Sequence, residues 1–272
     1  MKWEIGLSTG IAYRHPILGA LAPIAAGGFR SLEVSTSPQH FHFDRPEAVA
    51  HARKRMDELG LRVVSLHAPF GPEIDVTSTR PAVRRKTLER LDHAADALSA
   101  LGGRFFVIHP GSEDSRWSWD REGNLARAVD GLRHVHESCR SRGLLFTVET
   151  PLPHLLGGAL DDLSWILSQL PAEGTGVCLD TSHTSLGGLL FPAIERFGPR
   201  LVHIQASDNR GVYDDHLPPG AGKIDWRAVI AALKTVDYQG ALLLEITGDG
   251  DVGPNVQASA EAARWLRELD PS

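Results

Sequence analysis

The feature that most restricts the fold of this chain is a rhythm. Short apolar runs rich in β-branched residues alternate along its length with longer segments whose apolar residues recur at helical spacing. The short runs are Glu4 to Ser8, Ser31 to Ser35, Arg62 to Leu66, Phe105 to Ile108, Leu145 to Val148, Gly176 to Leu179, Leu201 to Gln205 and Leu242 to Ile246, eight in all. Between them lie helical patterns such as Pro46 to Leu59, Arg80 to Leu101, Leu125 to Arg142, Leu160 to Leu170, Trp226 to Val236 and Val256 to Leu269. Some carry boundary signals: Asp44 is placed to cap a helix with Pro46 inside its first turn, and Gly60, Gly102 and Gly143 follow apolar stripes where a left-handed C-terminal residue is wanted.

A strand such as Phe105-Phe106-Val107-Ile108 has no polar face, so it is expected to be buried on both sides. Strands of that kind in regular alternation with helices imply a parallel sheet with right-handed crossovers. Eight such units in a chain of 272 residues match an α/β (β/α)8 barrel, with residues 1–272 as one domain. An open dinucleotide-binding sheet is disfavoured, because no Gly-x-Gly-x-x-Gly follows the first strand.

With 28 basic and 34 acidic side chains and a net charge of −6, the chain as a whole has no attraction for phosphate backbones or anionic membranes. Two cysteines, Cys139 and Cys178, are too few for a disulfide framework and read as a helix-face and a core residue of a reduced protein. Glu4 and Gly6 interrupt the start where a signal peptide needs an apolar run, and no stretch reaches the roughly 18 apolar residues of a membrane span. The expectation is a cytoplasmic protein with no membrane partner.

In a barrel of this kind the side chains at the C-terminal ends of the strands converge on one mouth. His67 follows the third strand, His109 the fourth and Glu149 the fifth, while Asp180 and His183 follow the sixth. The seventh contains His203, its following loop adds Asp214, Asp215 and His216, and the eighth carries Glu245. One histidine at a strand end is ordinarily a packing residue, and Asp180-Thr-Ser-His183 alone reads as a helix cap. Six consecutive strands delivering imidazoles and carboxylates to one rim need another cause, since converging carboxylates repel unless a cation lies among them. The donor set suits Zn, Mn, Co or Fe in a polynuclear site. The remaining histidines, His15, His40, His42, His51, His93, His134, His136 and His154, read as solvated or capping, and Trp117 and Trp119 as loop packing near the mouth.

These residues resemble the xylose isomerase-like superfamily of TIM barrels, which includes endonuclease IV and the sugar phosphate isomerases and epimerases. The similarity runs from His67 to Glu245 and is strongest over residues 203–226, with Asp214-Asp-His216-Leu-Pro-Pro-Gly at its centre. By resemblance to endonuclease IV, His67, His109 and Glu149 would hold one metal, with Glu149 bridging to a second held by Asp180, His203 and Glu245. His183, Asp214 and His216 would hold a third, the Asp-x-His spacing favouring Asp214 over Asp215. By resemblance to the isomerases and epimerases, one metal held by Glu149, Asp180, His203 and Glu245 would chelate two adjacent sugar oxygens. Glu149 and Glu245 would move a proton through an enediolate, and His183 would bind a substrate hydroxyl.

The expected function is therefore a divalent-metal-dependent isomerase or epimerase, or a related proton-abstracting enzyme, of a sugar or sugar phosphate. The alternative is a trinuclear phosphodiesterase acting on abasic DNA, the one reading with a nucleic-acid partner. The loop from Ser35 to Asp44 has no Lys or Arg to grip a duplex, which favours the sugar; Phe70 suits either an intercalating aromatic or a sugar-pocket wall. A barrel that only binds a sugar, around a structural metal, is a third reading. Strand-end ligands at an open mouth argue against it, because structural sites are closed by protein ligands.

Overall fold

A computed structural model of the chain describes residues 2–71, 73–111, 119–248 and 250–270. Its strands are β1 (Ile5–Ser8), β2 (Ser31–Ser35), β3 (Arg62–His67), β4 (Phe105–Ile108), β5 (Leu145–Glu149), β6 (Thr175–Asp180), β7 (Leu201–Ala206) and β8 (Leu242–Leu244). Each pairs in parallel with the next in sequence, and β8 returns to β1, so that they close an eight-stranded barrel in the order expected. Closure leaves no sheet edge exposed.

The helices are α1 (Ile17–Ala26), α2 (Pro46–Glu58), α3 (Pro81–Leu101), α4 (Arg121–Ser141), α5 (Leu160–Ser168), α6 (Thr181–Leu186), α7 (Leu190–Phe197), α8 (Trp226–Thr235) and α9 (Val252–Leu269). Their apolar stripes pack on the barrel: Leu91, Ala94, Ala95, Leu98 and Leu101 of α3 recur every three or four residues and are all buried. Gly102 ends that helix at φ +74, and Gly60 and Gly143 are likewise left-handed, as their positions after the apolar stripes imply.

Three features depart from the sequence reading. Asp44 does not cap α2; the cap position falls to Arg45, whose side chain makes no capping bond, and Pro46 stands at the first helical position. Helix α1 carries Pro23 inside it, which breaks the pattern a helix is recognised by, yet Ile17, Ala20, Leu21 and Ile24 still bury one face. Between β6 and β7 the single crossover helix is split into the short α6 and α7, too brief to show a period of their own. Among the described residues no helix is long and apolar enough to cross a membrane.

Two register shifts decide what fills the barrel. One falls between Leu32 and Glu33 where β2 meets β3, the other between Val177 and Cys178 where β6 meets β7. Such irregularities re-aim side chains, and here they flank a buried polar layer. Glu33 accepts hydrogen bonds from the Ser65 hydroxyl (2.8 Å) and the Gln205 amide (3.1 Å), and its Oε2 lies 2.9 Å from Nε2 of His203.

Candidate functional site

At the barrel mouth the strand ends bring eight of the anticipated side chains together: His67, His109, Glu149, Asp180, His183, Asp214, His216 and Glu245. Their possible ligand atoms form four overlapping trios, each within 4.8 Å: His67–His109–Glu149, His183–Asp214–His216, Glu149–Asp180–His183 and Asp180–His216–Glu245. His67, Glu149 and Asp180 are the last residues of their strands, and Glu245 directly follows β8, so the barrel itself aims them.

His203 is not among them. On β7 side chains alternate, so His203 and Gln205 share the inner face, and the register sets Gln205 opposite Asp180 and His203 opposite Cys178. Two residues of strand rise put His203 about 7 Å below the level of Asp180, where it pairs with Glu33. The β7 position level with Asp180 is held by Gln205, whose amide is engaged by Glu33 and by the Cys178 thiol (3.0 Å). The expected second-metal set of Glu149, Asp180, His203 and Glu245 thus lacks its imidazole.

The imidazoles at the mouth are oriented by the backbone. Nδ1 of His67 lies 2.9 Å from the carbonyl of Ala68, that of His183 3.1 Å from Thr150, and that of His216 3.0 Å from Glu245. A carbonyl only accepts, so each Nδ1 carries the proton and each Nε2 faces the cluster, the orientation that metal-ligating histidines adopt. His67 Nε2 is 3.1 Å from Glu149, and the Nε2 atoms of His183 and His216 are 3.1 Å and 2.9 Å from the same Oδ2 of Asp214. Asp215 turns away and accepts from the backbone of Arg210.

Asp180 does two things at once. Its Oδ1 caps α6 by accepting from the His183 backbone at 2.7 Å, while its buried Oδ2 has no hydrogen-bond partner. Both oxygens of Glu149 are buried and likewise receive no directed hydrogen bond, although His67, His109 and His183 stand within 3.1 to 3.3 Å. Buried carboxylate oxygens without donors are costly, and a divalent cation satisfies them without a proton. The all-oxygen and imidazole donor set fits such an ion.

The electrostatics show the same strain. Burial acts to lower the pKa of His67 and of His216 but is outweighed, by Glu149 for the first and chiefly by Asp214 and Glu245 for the second, so both are pushed up to about 10. Burial would raise Glu149, yet the surrounding imidazoles hold it well below the carboxylate range. Glu245 goes the other way, pushed up to about 8 by burial, with the Glu33 and Glu149 charges adding to it.

The loop after β7 is built around Asp208, which sequence inspection passed over. Its Oδ1 accepts from the backbones of Asn209 (2.9 Å) and Ile224 (3.1 Å), and its Oδ2 from Gly220 (3.0 Å) and the Trp226 indole (3.0 Å). A Cβ on Gly222 would lie 2.2 Å from Asp208 Oδ1, so only glycine lets the loop wrap this carboxylate. The loop in turn carries Asp214, and His216 at φ +44, a left-handed backbone conformation uncommon for a non-glycine residue. Asp208 is legible only as one acidic residue in the long motif, with nothing in its spacing to separate it from a ligand.

The cluster opens into a cavity of about 260 Å³ lined also by Phe70, Leu152, Leu155 and His154, the last a mouth residue that the sequence assigned to solvent. Phe70, half exposed, packs its ring 5.0 Å from His67 and 5.4 Å from His109. Trp119 is exposed and lines no part of this cavity, and Trp117 lies outside the described residues.

The barrel and its mouth place the chain in a class, and sequence comparison names it. The profile of the xylose isomerase-like TIM barrels matches residues 21–269, and the chain belongs to that family. It is 24% identical over 260 residues to a D-psicose 3-epimerase of Enterocloster bolteae, covering 90% of this chain and 82% of that protein. It is 25% identical over 246 residues to a probable endonuclease 4 of Bacillus licheniformis, covering 83% and 81%. Among solved structures a D-tagatose 3-epimerase-like protein superposes with a TM-score of 0.86 at 22% identity over 98% of this chain and 97% of that one, a likeness of fold.

Proposed function

We propose that the protein is a divalent-metal-dependent epimerase or isomerase of a small sugar. The observation that carries this reading is the cavity: about 260 Å³, reached by two glutamates and walled by Phe70, Leu152 and Leu155, with no Lys or Arg among the described residues that line it. A site for a DNA duplex needs several cations to neutralise phosphates, whereas a monosaccharide needs apolar walls and a few convergent polar groups. The D-psicose and L-ribulose 3-epimerases among its relatives support the same reading.

Glu149 and Glu245 reach the cavity from β5 and the end of β8, three strands apart in the ring, so they address a bound sugar from different sides. Glu149 stays ionised and serves as a base toward a carbon-bound proton; Glu245, pushed up to about 8, holds a proton near neutrality and returns one to the opposite face. The substrate thereby passes through an enediolate, formed when Glu149 takes the carbon-bound proton and consumed when Glu245 gives one back. His183, tied to Thr150 and Asp214, is placed to hold a sugar hydroxyl. A cation among Glu149, Asp180, Glu245 and the neighbouring imidazoles would stabilise the oxyanion charge that develops on the sugar.

The test is solvent deuterium. Wild-type enzyme should incorporate it into a turned-over ketose, and Glu149→Gln and Glu245→Gln should each abolish incorporation; full exchange in both variants overturns the assignment. A second reading, a phosphodiesterase acting on abasic DNA, is favoured by the two complete trios His67–His109–Glu149 and His183–Asp214–His216. Metal content near three per chain together with cleavage of an abasic oligonucleotide would establish it over the first.

A further inference from the structure

Beside the glutamate cavity the mouth continues, toward β1 and β2, into a second lobe of about 400 Å³. The two lobes share His67, Phe70, His216 and Glu245, so a ligand held by the cluster extends naturally into the second. Three of its hydroxyl groups have protein partners: Ser8 Oγ accepts from Gly10, Thr36 donates to the His67 carbonyl and Ser37 donates to the Tyr13 carbonyl. The lysine or arginine among the described residues that line it is Arg90 on α3.

Arg90 is half-buried, its Nε is shielded from solvent without a hydrogen-bond partner, and its guanidinium lies 5.8 Å from the ring of Phe43. No ion pair of Arg90 occurs among the described residues. Other arginines of the helical layer, Arg84, Arg121, Arg127 and Arg142, each reach an aspartate. With only Nε shielded, its two terminal nitrogens remain open to a ligand, and the planar fork of a guanidinium suits a carboxylate or a phosphate.

We propose that the second lobe receives an anionic end group of the sugar, a carboxylate or a phosphate, with Arg90 as its counter-ion. This rests on the sugar-enzyme reading above and narrows it: the substrate is a sugar acid or a sugar phosphate. The cluster takes the hydroxylated end, and the charge at the far end sets the register of the chain in the mouth. Arg90 is a specificity-determining residue, remote from the carbon whose proton moves.

The experiment is calorimetric titration of the metal-loaded protein with two matched pairs: fructose against fructose 6-phosphate, and glucitol against gluconate. Charge-assisted hydrogen bonds of this kind are worth at least about tenfold in affinity. The wild type should bind one anionic member at least tenfold more tightly than its neutral partner, the pair concerned identifying phosphate or carboxylate. Arg90→Gln should bring that ratio within about twofold, and Arg90→Lys should retain part of it, with unchanged thermal melts for both. No anionic preference in the wild type, or a preference that survives in Arg90→Gln, overturns the inference. Preference lost in Arg90→Gln without deuterium exchange in any sugar would leave this site standing and the proposed chemistry fallen; exchange without anionic preference would do the reverse.

Discussion

Removal of the Glu33 carboxylate separates a structural role for the polar layer inside the barrel from a metal-binding one. Glu33 is fully buried and accepts from Ser65 and Gln205, and its partner His203 is fully buried as well. In Glu33→Ala the Gln205 amide loses its acceptor, and Ser65 and His203 are left with only each other, 3.2 Å apart, in a space that water does not reach. Breaking a buried pair in this way costs about 3–5 kcal/mol. In a chain of this length each kcal/mol lowers Tm by roughly 2–3 °C, so a fall of about 6–15 °C is expected in circular-dichroism melts at fixed neutral pH and metal concentration. Glu33→Gln keeps an acceptor and should cost less. Glu33→Ala combined with His203→Ala should recover part of the loss, with a coupling energy of about 1–3 kcal/mol. Metal per chain, measured by mass spectrometry, should stay at the wild-type value in Glu33→Ala and His203→Ala, because His203 lies two residues of strand below the rim. A Tm change below about 2 °C, or metal loss in His203→Ala equal to that in His183→Ala, would refute the reasoning.

Asp208→Ala should weaken metal retention by roughly 10- to 100-fold in a chelator competition, as loss of the groups that orient ligands does, since Asp208 ties the loop carrying Asp214 and His216. Gly222→Ala should cost about 1–3 kcal/mol in urea unfolding, because the added Cβ would also come within 2.4 Å of the Asn209 carbonyl. In the chelated protein His67 and His216, both pushed up to about 10, bind protons in the folded state that the unfolded chain releases above 6.5. Their contribution is complete below 6.5 and lost as pH rises through about 10, and Glu245, pushed up to about 8, acts in the same direction. Melts of the chelated protein should therefore fall across that range more steeply than melts of the metal-loaded one; a flat profile would contradict the assignment.

The barrel was legible in the sequence because strands buried on both faces need uninterrupted apolar runs, and Phe105-Phe106-Val107-Ile108 or Leu242-Leu243-Leu244 can serve as little else. The rim was legible for a related reason: a polar residue that ends such a run, as His67, Glu149 and Asp180 do, comes to lie at the barrel mouth. Helix α1 was obscured by Pro23, and α6 and α7 by their brevity.

What the sequence by itself determined, then, was the eightfold alternation and the donor types at the strand ends, both properties of short stretches of chain. The depth of each side chain along the barrel axis is a property of register between neighbouring strands, and only the tertiary structure decided it. The shifts at Leu32/Glu33 and Val177/Cys178 place Glu33 and His203 together in the interior and leave Gln205 at the rim of β7, so a histidine that belongs to the cluster by residue type stands below it in space. The same holds for Asp208 and Arg90. Which carboxylate folds a loop rather than facing the mouth, and which arginine comes to line it, depends on contacts between segments that the chain's local pattern does not record.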